Sequence, residues 1–441
     1  MKRQLGSNER IVYMNTQAGS ISFVVISHVA MDLDENHVRK ALDILCTCHP
    51  LIQTRIEIQD NLPFFISDNV PSIPLRVLSR RDDSHWIEEA EHEINTPLPS
   101  ETGPMIRVVL LTSSRTTDVL IRFHHVIGDG MSGMYLMRDL LTLCEKISQG
   151  KKPCMASLPE RPPIEELLPP GARGFSDLIK TTSLIGKQLY NITVHRPKKI
   201  PCDGESSRPS VTHIIHHCFS AETTWLLVEK CHTSAATVHG AVCAALLTAA
   251  AHRIQKEHAH SDSCTVGCMS AVDMRQFLYP PVGEEVGLYA SMVITSHKIS
   301  PHTAFWDLSQ EVTESVHHSI SKGEPFVFIS LLDKLVPRNA DPADVAKRAS
   351  DIYPAALLVT NLGRLTIDNL CDLPPCRALH FAVSNKAVPN LYNAALLTFK
   401  NQLIINFSYN CPLISEKHAR ALATDAITIL QSAAQDEKSI H

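Results

Sequence analysis

The chain has 441 residues, 44% hydrophobic and 20% charged. One core rarely grows beyond roughly 250–300 residues, so two lobes are expected. The formal net charge is −5 and no basic block stands out, which argues against nucleic acid as the main partner.

In chain order, ISFVVISHV (21–29) reads as a strand rich in β-branched residues. A helix follows, with Val38, Ala41, Leu42 and Leu45 on one face and Pro50 at its end. LIQTRIEI (51–58) and PFFIS (63–67) read as strands, residues 84–94 as a helix, and 105–113 with 117–126 as a hairpin. A helix is expected after Gly130. Five prolines between Pro159 and Pro170 mark a linker. The expected division is 1–150, a linker or crossover region 151–210, and 211–441. Within the last two, the pattern predicts a helix over 175–190 and a strand at VTHIIHHCFS. A long helical stretch, 221–254, is broken near Thr237, which can cap a new helix. Strands follow over 264–274 and 355–363, with a helix over 303–322 between them. A hairpin turns at Lys400-Asn401, and a last helix covers 415–433. Strands and helices mix in both halves, so the fold class is α/β or α+β in two lobes.

The N-terminus MKRQLGSNERIVYMN lacks a secretory apolar run, and no early apolar stretch reaches the ~20 residues of a membrane span. The thirteen cysteines are odd in number and scattered, which reads as reduced thiols in a cytoplasmic protein. The spacings of Cys46/Cys48, Cys264/Cys268 and Cys371/Cys376 are not those of a zinc site. The sequons at Asn191 and Asn406 read as chance matches.

The chemistry concentrates in FHHVIGDGMSG, Phe123–Gly133. Three readings compete: a metal site, an acid/base site, or a strand end followed by a helix cap. Strand alternation puts His125 on the face of Phe123 and His124 on the opposite face, so the pair does not share a metal easily. One imidazole near its working pKa can take a proton from an alcohol and return it to a leaving group. Gly130 permits an unusual backbone angle and a close approach. The helix start beyond it offers free N–H groups. His239 reads as packed or capping, and His216-His217 lacks an acid-glycine continuation.

His124-His125-Val126-Ile127-Gly128-Asp129-Gly130 matches HHxxxDG between a strand and a helix. It resembles the signature of the acyl-thioester-dependent acyltransferase superfamily. That group takes in chloramphenicol acetyltransferase, the plant BAHD enzymes, peptide-synthetase condensation domains and the polyketide-associated acyltransferases. HPLIQTRIE (49–57), TVHGAVCAALLTAA (237–250), SAVDMRQFLYPPVGEEVG (270–287) and NFSYNCPLIS (406–415) are similar to further family segments, in family order. The DFGWG motif of the plant enzymes is missing, and no carrier domain is attached, which favours a stand-alone branch.

The resemblance implies two chloramphenicol-acetyltransferase-like lobes with a substrate tunnel between them. It implies His125 as general base, with His124 and Gly130 supporting the site, and Asp129 paired with Arg275 from the second lobe. Asn361 and Gly363, in NLGRL, sit where a family Asn-x-Gly element is expected, as tunnel or oxyanion support. The implied reaction moves an acyl group from acyl-CoA or a carrier-bound thioester to a small-molecule alcohol, by a monomer without metal or resident cofactor. The alternatives are amide formation, a carrier-dependent condensation, a member repurposed for binding, and metal-dependent hydrolysis.

Overall fold

The computed structural model describes residues 1–19, 21–172, 196–204, 209–257, 263–335, 355–365, 376–388 and 390–435, with isolated positions between them. In the first half these are β1 (Lys2–Gln4), α1 (Ser7–Gly19), β2 (Ile21–Val29), α2 (Glu35–Cys48), β3 (Arg55–Gln59), β4 (Leu62–Ile66), β5 (Leu75–Ser79), α3 (His85–Asn95), β6 (Ile106–Thr112), β7 (Thr117–His124) and α4 (Gly130–Ser148). The second half supplies β8 (Val211–Cys218), α5 (Ala221–Thr233), α6 (Val238–Glu257), β9 (Cys264–Asp273), β10 (Ala290–Ile299), α7 (Phe305–Ser321), α8 (Glu324–Leu335), β11 (Leu357–Leu365), β12 (Cys376–Asn385), β13 (Tyr392–Phe399), β14 (Gln402–Cys411) and α9 (Glu416–Gln435).

Two larger sheets organise the lobes. The first runs β12-β2-β7-β6-β5 and the second β10-β9-β11-β13-β14-β8; a small sheet, β1-β4-β3, flanks the first. On one face of the first sheet, Val119, Ile121 and Phe123 of β7 join a core with Val38, Ala41, Leu42 and Leu45 of α2 and Leu136, Met137 and Leu140 of α4. On the other face, Leu120 joins Trp86, Ala90 and Ile94 of α3. The second sheet packs α6, α7 and α9 around its own core. Apolar alternation on β7 and the 3.6-residue stripe of α2 therefore meet as the sequence pattern predicts.

Several expectations shift in detail. LIQ (51–53) is not strand: Pro50 cannot donate to a ladder and opens a 3-10 turn, Pro50–Gln53, so the strand starts at Arg55. The long pattern after Ala221 splits into α5 and α6, and the Thr237 hydroxyl accepts the Gly240 N–H at 3.0 Å. The expected helix over 175–190 falls almost wholly outside the described residues, as do Asn191 and Cys371. Among the described residues the cysteines are free thiols, and no single helix is long and apolar enough to cross a membrane.

One strand departs from chain order. β12 lies in the second half of the sequence but pairs antiparallel with β2, as an edge of the first sheet. The segments 1–150 and 211–441 therefore do not each form a closed sheet. Its attachment to the second sheet is made by side chains. Asn406, Ser408 and Asn410, alternate residues of β14, donate to the carbonyls of Phe381, Val383 and Asn385 at 2.9, 2.5 and 3.0 Å. The proline-rich segment also bridges the lobes. The Leu158 N–H donates to the Cys48 carbonyl at 2.9 Å, while Arg161 bonds Glu285 at 2.7 Å.

Candidate active site

β7 ends at His124, and His125–Ile127 form a 3-10 turn that delivers the chain to α4. The expected strand to residue 126 stops at His124, so His125 is placed by the turn and not by strand alternation, yet its ring still falls on the Phe123 side. The His125 ring meets Phe23 edge-on at 5.2 Å, and Phe23 stacks on Phe123 at 4.7 Å. His125 Nδ1 lies 2.8 Å from the Gly128 carbonyl. A carbonyl oxygen only accepts, so Nδ1 carries the proton and Nε2 keeps its lone pair. Nε2 makes no hydrogen bond among the described residues. Burial pushes the His125 pKa below its ordinary value, and its carbonyl contacts and the Asp129 charge offset this only in part.

His124 is built differently. It is buried, and its Nδ1 accepts the Val126 N–H at 3.1 Å. Burial, then the Arg122 charge, lowers its pKa to about 3. It remains neutral across the ordinary pH range and stiffens the turn.

Asp129 and Arg275 are buried together. Arg275 donates from Nη1 to Asp129 Oδ2 at 2.9 Å and from Nη2 to Oδ1 at 3.0 Å, a two-pronged pair across the lobes. Asp129 also caps α4 by accepting the Ser132 N–H at 2.9 Å, and it takes the Tyr289 N–H at 3.0 Å. The helix-cap and ion-pair readings of this aspartate are both true at once. Burial alone raises the Asp129 pKa; the Arg275 charge and the N–H donors outweigh it, and the carboxyl ends below its usual range. The Arg275 guanidinium lies over the rings of Tyr289 and Tyr135, at 5.1 and 5.8 Å.

Gly130 is the first residue of α4 and is not among the residues of positive φ. The expectation of an unusual backbone angle there is corrected; the close approach is real. A Cβ on Gly130 would stand 2.8 Å from Cδ2 of Leu362. Asn361 and Gly363 explain why Leu362 reaches it. The ladder between β11 and β13 shifts register between Asn361 and Arg364, and Gly363 has φ +74°. The Gly363 N–H donates to Asn361 Oδ1 at 2.8 Å. That N–H is used inside the bulge, so oxyanion support does not come from it. The pair instead aims Leu362 at the start of α4.

The chain has relatives among known proteins. Residues 208–407 match the family model of the phthiocerol/phthiodiolone dimycocerosyl transferase C-terminus, and residues 12–160 match that of the condensation domain. The chain belongs to the acyltransferase and condensation superfamily. Its fold agrees with that assignment. A trichothecene 15-O-acetyltransferase from Fusarium sporotrichioides is similar with a TM-score of 0.73 at 13% identity, over 98% of this chain and 95% of that one. The first condensation domain of the CDA synthetase gives 0.73 at 14%, over 99% and 97%. Polyketide synthase associated protein 5 from Mycobacterium tuberculosis gives 0.68 at 14%, over 98% of both. A linear gramicidin synthase polypeptide from Brevibacillus parabrevis is 30% identical over 139 residues, which span 29% of this chain and 2% of the synthase polypeptide.

Within this site, sequence reasoning missed Ser132. Its hydroxyl accepts Arg275 Nη2 at 2.8 Å and the Gly287 N–H at 3.1 Å. Its own proton is within reach of Asp129 Oδ1 and the Gly287 carbonyl, both at 2.9 Å. A signal was available, since a serine three residues after a capping aspartate sits where the first helical turn needs a partner. Tyr289 was not legible, because it contributes a backbone N–H that carries no side-chain mark.

Proposed function

We propose that this protein transfers an acyl group from acyl-CoA to the hydroxyl of a small molecule of secondary metabolism, with His125 as general base. The observation that carries the reading is the fixed tautomer of His125. Its Nδ1–H is held by the Gly128 carbonyl, so Nε2 is a neutral acceptor on a rigid turn. The acceptor hydroxyl gives its proton to Nε2 as its oxygen attacks the thioester carbonyl. A tetrahedral oxyanion forms, the carbon–sulfur bond breaks, and the departing thiolate takes the proton back from Nε2. Asp129 and Arg275 hold the turn and exchange no proton. Donor and acceptor enter an interlobe tunnel from opposite faces, and the enzyme acts as a cytoplasmic monomer.

The test incubates the protein with short- and long-chain acyl-CoAs against panels of alcohols and amines, with His125→Ala in parallel. Turnover is expected with alcohols, and loss of at least 10²-fold in the variant. Full turnover by His125→Ala would sink the mechanism, and loss of activity on chelation would favour metal-dependent hydrolysis. The similarity of part of the chain to a gramicidin synthase supports a second reading, amide formation or a carrier-bound donor. Product from the amine panel, or from acyl-carrier protein but not acyl-CoA, would favour it.

A further inference from the structure

The seam between the sheets holds a cluster that acyl transfer does not use. His28 of β2, His380 of β12 and His216 of β8 gather around Trp86 of α3. His380 stacks on Trp86 at 4.7 Å and meets His28 and His216 edge-on, each at 4.8 Å. Trp86 meets the edges of His28 and His216 at 5.5 and 5.2 Å. His28 and His380 belong to the first sheet and His216 to the second.

The three imidazoles differ in their partners. His28 Nδ1 lies 2.6 Å from the Asp118 carboxylate of β7, which also takes Arg80 at 2.8 Å. His216 Nδ1 bonds Asn406 Oδ1 at 2.8 Å, and Asn406 Nδ2 goes on to the Phe381 carbonyl of β12. His380 is 4% exposed, and its Nδ1 has no hydrogen-bond partner among the described residues. The charged or titratable groups acting on His216 and His380 are each other, His28, and His217 of β8 beside His216. Among the described residues neither has a carboxylate partner.

We propose that this cluster is an acid-sensitive latch between the lobes: neutral rings pack the seam, and proton uptake drives β8 away from β12. A proton that enters His216 or His380 does so without a counter-charge, where water is excluded. The Asn406 bond survives protonation, because Nδ1 of His216 donates in both forms; the repulsion falls on the ring contacts. Burial, with the neighbouring histidine charges, holds the His380 pKa well below its ordinary value and lowers that of His216. A histidine with a depressed folded pKa supports the fold fully above its unfolded pKa of about 6.5 and loses that support as pH falls below it.

The latch is independent of the acyl-transfer reading, and its test needs no turnover. Urea unfolding between pH 7.5 and 5 is compared for the wild type, His380→Phe, His216→Gln and the exposed-site control His92→Gln. Between pH 6 and 5, the slope of log K against pH should fall by about one proton in either seam variant and stay unchanged in the control. Trp225→Phe with Trp306→Phe leaves Trp86 as the single tryptophan. Acrylamide quenching of Trp86 should rise several-fold from pH 7.5 to 5.5, and should not rise when His380→Phe is added. Unchanged slopes in both seam variants would overturn the proposal. So would a Trp86 that stays shielded at pH 5.5 despite altered slopes, because the histidines would then titrate without opening the seam.

Discussion

Both imidazoles of the HHxxxDG motif are disfavoured as cations, but only His125 presents an acceptor nitrogen with no bond of its own. The consequence is a pH profile. A base must be unprotonated to act, and burial lowers the His125 pKa from its ordinary value of about 6.5. The acid limb of kcat/KM should therefore lie below pH 6.5; a limb above it would contradict the burial described. Arg275 makes a second prediction at this scale. Arg275→Ala leaves Asp129 charged and buried, a loss of about 3–5 kcal/mol in stability for a pair broken from one side. Thermal unfolding should show a large drop in Tm, and normal melting with normal activity would disprove the role. The pair was legible because Arg275 stands in VDMR and Asp129 in DG, both marked segments. The Tyr289 N–H was not, because three-dimensional convergence alone makes it a partner; Ser132 carried a cap-position signal that went unread.

At the scale of elements, the bulge in β11 and the start of α4 are one device. Leu362 occupies the space a side chain on Gly130 would need. Gly130→Ala should cost about 1–3 kcal/mol through overpacking. Adding Leu362→Ala should recover part of that loss, and a double-mutant cycle measures the coupling. Additive losses would separate the two sites. The 3.6-residue pattern made α2 and α4 readable, because each has a buried and an exposed face to record; β2 and β7, buried on both faces, were readable from their β-branched and apolar content. The bulge escaped that reading, since a register shift is set by the neighbouring strand.

For the whole molecule, β12 was one of four strands that sequence reasoning did not find, with β1, β5 and β10. CRALHFAVSN has polar residues that face another sheet rather than water. His380 meets the Trp86 cluster, and Ser384 bonds Thr212 of β8 at 2.7 Å. Its alternation is therefore blurred by polar contacts in the interior. Its partner β2 lies more than three hundred residues earlier in the chain, beyond the reach of local pattern. The same pairing bears on how the protein can be divided. A fragment ending at residue 210 would carry β2 as a bare edge, with unpaired N–H and C=O groups open to association. Such a fragment should aggregate when expressed alone. A synthetic peptide of residues 374–388 added in trans should dock on that edge and raise its solubility, as read by light scattering. A fragment that is soluble and monomeric without the peptide would show that β12 is dispensable to the first sheet. The lobes would then be heritable as separate genes; with β12 required, a gene split between them must pass that strand to the other half.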